Sequence, residues 1–126
     1  MIKPSIDNHL SRVALFLGYQ SHEIRELWFQ QYLNNDTHGW HIHGSNFTAI
    51  YYIELNEASP LTELICPFSL NKKIVPNIKE GDILIFPSYV IHRAPRINNN
   101  IRKTIISFNL NFLNIDPLVV DKINNL

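Results

Sequence analysis

Residues 104–112 read TIISFNLNF, and the way this run alternates decides the fold. Side chains along a strand point to alternate faces. One row takes Thr104, Ile106, Phe108, Leu110 and Phe112; the other takes Lys103, Ile105, Ser107, Asn109 and Asn111. The first row reads as the core face and the second as mostly wet. Two positions before Thr104 on the first row stands Arg102. A guanidinium that heads a core-facing row has two fates. It passes the strand's end into water, as most arginines do, or it holds a carboxylate by a bidentate pair.

Outward from this strand the texture stays β. TAIYYIEL at 48–55 is rich in β-branched and aromatic residues. ILIF at 83–86 is apolar on both faces and follows a tight turn at KEGD, so it reads as a strand buried on both sides. LTELICPFSL carries Pro67 and reads as a broken or edge strand. ASP at 58–60 reads as a turn, and PRINNNIRK reads as a hairpin loop. EIRELWFQQYL fits either a helix, through Ile24, Leu27 and Trp28, or a strand, through its aromatics. Residues 7–18 predict a short amphipathic helix capped by Asp7 or Asn8, with Leu10, Val13, Ala14 and Leu17 on one face and Gly18 at its end. A strand over Arg12 to Tyr19 is the alternative. The tail from Asp116 predicts a short helix or a frayed end. Many short strands with turns between them predict a mainly β sandwich or jelly roll with one or two short flanking helices.

The 126 residues are 45% hydrophobic, which predicts one domain over 1–126 with a moderate core. Eleven basic residues balance eleven acidic ones, which excludes nucleic-acid or membrane-surface binding driven by bulk charge. The lone cysteine, Cys66, excludes an intrachain disulfide and a Cys-rich zinc site. The opening MIKPSIDNHL lacks the order of a signal peptide, and no apolar run is long enough to span a bilayer, so a reducing cytoplasmic setting is expected. Apolar outer strands on so small a fold make a homodimer the oligomeric expectation.

The candidate chemistry begins at HGWHIHG, residues 38–44, which hold three of the chain's six histidines. On a strand His41 and His43 project from one face, and two imidazoles on one face suit a first-row metal. His38 and His92 are candidates for a third imidazole; Asp36, Glu54 and Asp82 are available carboxylates. His92 ends GDILIFPSYVIH, where a glycine turn leads into an apolar strand, a proline and then the histidine. The chain therefore carries, in order, His41-x-His43, His92 and Arg102-x-Thr104. Each fragment is common, but the ordered set is not.

That set resembles the iron(II)/2-oxoglutarate-dependent oxygenases, and in particular a branch of small oxygenases from bacteria and marine phages. WHIHGSNFTAIYYIEL, GDILIFPSYVIHR and RKTIISFN carry the resemblance, which runs from Trp28 to Phe112. It implies a double-stranded β-helix, or jelly roll. It implies iron(II) ligands at His41, His43 and His92, and a partner for the distal carboxylate of 2-oxoglutarate at Arg102 with Thr104 beside it. TAIYYI is similar to a strand of prolyl hydroxylases, which implies that Tyr52 reaches the same carboxylate, with Thr48 and Ile50 on its face. Tyr32 is a further candidate from the preceding strand. The implied reaction couples decarboxylation of 2-oxoglutarate to succinate with hydroxylation of a small molecule or side chain.

One departure from the family pattern stands at His43, where a carboxylate is usual. Three neutral imidazoles leave two positive charges on the metal–ligand set, which raises affinity for an anionic ligand. Two other classes remain open. A cupin-like protein could use the three histidines without 2-oxoglutarate, although Ser45 to Thr48 lack the glutamate that cupins commonly place there. A non-catalytic binding module on the same fold is the third.

Overall fold

The computed structural model describes residues 2–126, with side chains from residue 5 onward. In chain order the elements are α1 (Ile2–Phe16), β1 (Tyr19–Tyr32), β2 (His38–His41), β3 (Phe47–Leu55), β4 (Glu63–Ile65), β5 (Lys73–Ile74), β6 (Ile83–Pro87), β7 (His92–Ala94), β8 (Lys103–Ile115) and α2 (Pro117–Asn124). The strands form two four-stranded antiparallel sheets, ordered β1-β8-β3-β6 and β2-β7-β4-β5.

Helix α1 begins earlier than its sequence pattern suggests. Asp7 therefore caps nothing; its carboxylate accepts a hydrogen bond from His22 Nε2 at 3.1 Å instead. Ile6, Leu10 and Ala14, four apart on one face, are buried against the first sheet. Leu17 lies beyond the helix and is exposed. The chain reverses at Gly18, whose φ of +91° suits a residue without Cβ. EIRELWFQQYL resolves as strand. β1 pairs with β8 from Tyr19 opposite Ile115 to Tyr32 opposite Lys103, with one irregularity between Ile24 and Glu26. Asp116 caps α2 by accepting from Leu118 N, and Pro117 occupies the first turn, where its missing N–H costs nothing.

β8 lies inside the first sheet and is buried on both faces from Lys103 to Leu110. Ile106, Phe108, Leu110 and Phe112 pack with Ile6, Leu10 and Ala14 beneath α1. Ile105 belongs to a second cluster with Tyr32, Ile50, Tyr52, Leu64, Phe86 and Ile97, which spans the two sheets. Each fully buried aliphatic side chain here is worth about 1.5–3 kcal/mol. The row of Lys103, Ile105, Ser107 and Asn109, expected to be wet, is therefore interior. The alternation was correct, but both faces of the sheet are covered: one by α1, the other by the second sheet.

Two other expectations change. β6 stands at the edge of its sheet, and only Phe86 of ILIF is fully buried. PRINNNIRK is no hairpin. It carries the chain from β7 in one sheet to β8 in the other, anchored by Ile97, which is buried and exchanges backbone hydrogen bonds with Asn35 and Asp36. Among the described residues no helix is long and apolar enough to cross a membrane.

Candidate metal centre

Three imidazoles converge at the open end of the space between the sheets. β2 and β7 pair so that His41 stands opposite His92. His43 lies just past β2, where its N–H donates to Ser88 O at 3.1 Å in the turn between β6 and β7. One ligand nitrogen from each of His41, His43 and His92 lies within 4.8 Å of the others. His41 Nδ1 donates to Gly39 O at 2.6 Å, and His92 Nδ1 donates to Val90 O at 2.9 Å. Both rings thus present Nε2 as a lone pair. His43 Nε2 stands 3.2 Å from His92 Nε2.

The donor set fits a first-row divalent metal. Two nitrogens, each about 2.1 Å from one cation, lie about 3.0–3.4 Å apart at right-angled or tetrahedral geometry. Burial favours the neutral form of His43 and His92, the form that ligation requires. Desolvation, with the neighbouring histidines adding to it, pushes His92 down to about 4, and it lowers His43 in the same way. Trp28 stacks on His43 with centroids 5.7 Å apart, and Phe86 meets His92 edge-on at 4.6 Å. His38 stacks outside on His41 at 3.9 Å and is not part of the convergent group. Nor are the carboxylates. Asp36 accepts from Leu33 N, Asp82 from Lys79 N, and Glu54 from Arg102.

A small cavity of about 30 Å³ is lined by these histidines together with Lys103, Thr48, Ile50, Thr62 and Tyr32. Lys103 is 2% exposed and forms no ion pair among the described residues. Its ammonium lies 5.5 Å from the Tyr32 ring centroid and 5.8 Å from that of Tyr52. Burial alone lowers it to about 8. Tyr52 is wholly buried, its hydroxyl 2.5 Å from Thr62 Oγ1, and its phenol is pushed up by desolvation. Tyr32 is raised to about 12 by the same cause. A larger groove of about 820 Å³ lies elsewhere, between α1 and β6 beside His9, Tyr51 and Asp82.

Arg102 and Thr104 do not line the cavity. The Arg102 guanidinium donates from Nε and Nη2 to the two Glu54 oxygens, at 2.7 and 2.8 Å, and its side chain is 58% exposed. Thr104 Oγ1 donates to the same carboxylate at 3.0 Å and accepts from Gln31 Nε2 at 3.2 Å. Both residues belong to the row that continues under α1, and neither is brought together with the three histidines. The bidentate pair anticipated for this arginine exists, but its carboxylate is Glu54. The cation that reaches the cavity is Lys103, passed over because its row looked wet. Its signal was present: it heads the row of Ile105, Ser107 and Asn109, whose mixture of polar and apolar residues suits a cavity wall.

No family model matches the chain, and no curated sequence does either. Solved structures do share the fold. A crystal structure of an oxidoreductase of the 2OG-Fe(II) oxygenase family from Burkholderia pseudomallei superposes with a TM-score of 0.64 at 12% identity, covering 76% of this chain and 48% of that one. A Pseudomonas putida prolyl-4-hydroxylase superposes with a TM-score of 0.57 at 15% identity, covering 79% of this chain and 55% of that one. The chain thus spans about half the length of either structure.

Proposed function

We infer that the protein is an iron(II)- and 2-oxo-acid-dependent oxygenase built on a double-stranded β-helix, with the two four-stranded sheets as its walls. One observation carries this reading. Three imidazole nitrogens and a buried ammonium with no ion-pair partner among the described residues line a single cavity. A buried cation with no anionic partner is costly, and a ligand carboxylate offsets that cost. His41, His43 and His92 would hold the iron. Lys103, flanked by Tyr32, Tyr52 and Thr62, would hold the distal carboxylate of 2-oxoglutarate, the role the sequence resemblance gave to Arg102. Iron(II) and the 2-oxo acid together supply oxygen activation coupled to decarboxylation. The chain's own residues would orient the acid between the histidines and Lys103 and keep water out. Trp28 and Phe86 fix the ligand rings, and the Tyr52–Thr62 hydrogen bond fixes the floor beside Lys103.

The test is anaerobic loading with iron(II), followed by 2-oxoglutarate and air, with succinate as the readout. The parent should form succinate and His92→Ala should form none. A second reading is favoured by one observation: a space of about 30 Å³ is smaller than a five-carbon dicarboxylate, so the acid enters only if side chains move. On that reading the protein is a cupin-like three-histidine metalloprotein that does not use 2-oxoglutarate. Iron binding without succinate is its signature. Failure to bind iron leaves a non-catalytic module.

A further inference from the structure

The three ligand histidines are not held alike. His41 and His92 stand opposite one another on paired strands, while His43 lies past the end of β2. The turn between β6 and β7 holds His43 instead. It carries the chain from the first sheet to the second, and it bears on two of the three ligands. Ser88 O accepts from His43 N at 3.1 Å, and Val90 O accepts from His92 Nδ1 at 2.9 Å. Val90 N closes the turn on Pro87 O at 3.0 Å, and Ser88 N donates to Asn46 O at 3.1 Å. The Ser88 hydroxyl adds a tie from this turn to the first sheet. It lies 2.8 Å from Thr48 Oγ1 of β3, and the two residues are 1% and 0% exposed. Ser45 spends its one hydroxyl proton on Phe47 O, so at 3.4 Å from Ser88 Oγ it can only accept. Thr48 then donates to Ser88, and Ser88 to Ser45. Thr48 is a firm anchor, because β3 lies between β8 and β6 and pairs with both.

We propose that Ser88 is a positioning residue of the metal centre: its buried hydroxyl, locked to Thr48, sets the turn that aims His43 and His92 at one cation. This rests on the metal part of the function proposed above, not on the use of 2-oxoglutarate. Asn46 pins the loop after His43 to β8, by exchanging hydrogen bonds with the Phe112 backbone. Ser88 pins the turn on the cavity side, where Thr48 lines the wall beside the histidines. Replacing a buried hydrogen-bonded pair by apolar groups of similar shape is nearly neutral for stability. What the bond adds is distance and direction, and a ligand set must be held to within about 0.5 Å. The Ser88–Thr48 bond therefore matters more to the metal than to the fold. If the two hydroxyls merely satisfy one another, removing both leaves metal binding as it was.

Cobalt(II) titration of the metal-free protein, followed by its visible absorption bands, tests this beside thermal unfolding without metal. Partners that orient a ligand typically change metal affinity by about 10- to 100-fold. Ser88→Ala should weaken cobalt binding by about tenfold and shift the bands. Thr48→Val, which keeps the shape and removes the hydroxyl, should do the same. Thr48→Ser, which keeps the hydroxyl and loses a methyl, should bind cobalt more tightly than Thr48→Val. The double variant Ser88→Ala, Thr48→Val should bind no worse than Ser88→Ala alone and melt near the parent. Parental affinity and bands in either Ser88→Ala or Thr48→Val overturn the proposal. So does binding in Thr48→Ser that is no tighter than in Thr48→Val, because packing is then the cause. Should Ser88→Ala not fold, the two Thr48 variants decide alone. A parent that binds no cobalt overturns the proposal together with the metal reading. Cobalt results as expected without succinate in the iron assay leave it standing and sink only the oxygenase.

Discussion

Arg102 and Lys103 are neighbours in sequence and opposites in space. Arg102 turns outward to a bidentate pair with Glu54, while Lys103 turns inward, 2% exposed, between Tyr32 and Tyr52. One step along a strand exchanges faces. The two cations therefore share a peptide bond and no neighbour in space.

Substitution of the two should separate cleanly. Lys103→Ala should weaken 2-oxoglutarate by about 2–4 kcal/mol, roughly 30- to 900-fold in dissociation constant, the scale of a buried charge pair losing one partner. Iron affinity should hold. Arg102→Ala removes an exposed pair and should leave 2-oxoglutarate affinity within about twofold of the parent. Calorimetric titration of both variants checks this. A large loss in Arg102→Ala with none in Lys103→Ala would return the cofactor to the arginine.

The lowered Lys103 makes stability depend on pH in a defined window. Its value falls from 10.5 to about 8 on burial. Below pH 8 the ammonium is charged in both the folded and the unfolded chain. Between about 8 and 10.5 the unfolded chain holds a proton that the folded one lacks, so stability rises with pH, by about 3 kcal/mol at most. It is lost again as pH falls through 8. Tyr32 and Tyr52 act oppositely above pH 10, because burial raises their phenols. Both remain in Lys103→Met and cancel in the comparison. Urea unfolding should therefore show the advantage of Lys103→Met over the parent shrinking from pH 8 to pH 10. A constant gap would place the ammonium in water.

Much of this architecture was legible in the sequence. TAIYYIEL and TIISFNLNF announced their strands because local propensity and packing agree there, while the tail from Asp116 was left between a short helix and a frayed end. The histidines were legible because His-x-His and His92 belong to motifs with fixed spacing. What could not be read was which face of β8 looks into the cavity. Alternation gives two rows, and only tertiary structure says that α1 covers the row of Ile106 and Phe108. The resemblance pointed to Arg102, while Lys103 stood on the row read as mostly wet.

Metal should stabilise the fold through the three histidines. A ligand at one hundred times its dissociation constant adds about 2.7 kcal/mol when it binds only the folded state. For a domain of this size that raises the melting temperature by about 10 °C. The rise should appear with iron(II) under nitrogen or with cobalt(II), vanish in His92→Ala, and reverse with a chelator. His38→Ala should keep it, because His38 stacks on His41 without joining the convergent group. An equal rise in His92→Ala would mean that the cation binds elsewhere.

Gly18 offers a perturbation that tests whether the site is independent of overall stability. Its φ is +91°, and a Cβ there would stand 3.3 Å from Val119 Cγ2 on α2. Its carbonyl accepts from Asp116 N at 2.9 Å, so the same turn joins both helices to the start of β1. Gly18→Ala combines a left-handed backbone with a tight contact and should cost about 1–2 kcal/mol. The turn adjoins Tyr19 opposite Ile115, the far end of a ladder whose other end is Tyr32 opposite Lys103. The ligands lie on β2, on β7 and beside Ser88, none of which α2 touches through this turn. Unfolding midpoints should therefore fall while cobalt affinity stays parental. A parallel loss of affinity would mean that the metal centre is assembled by global stability rather than by its own hydrogen bonds.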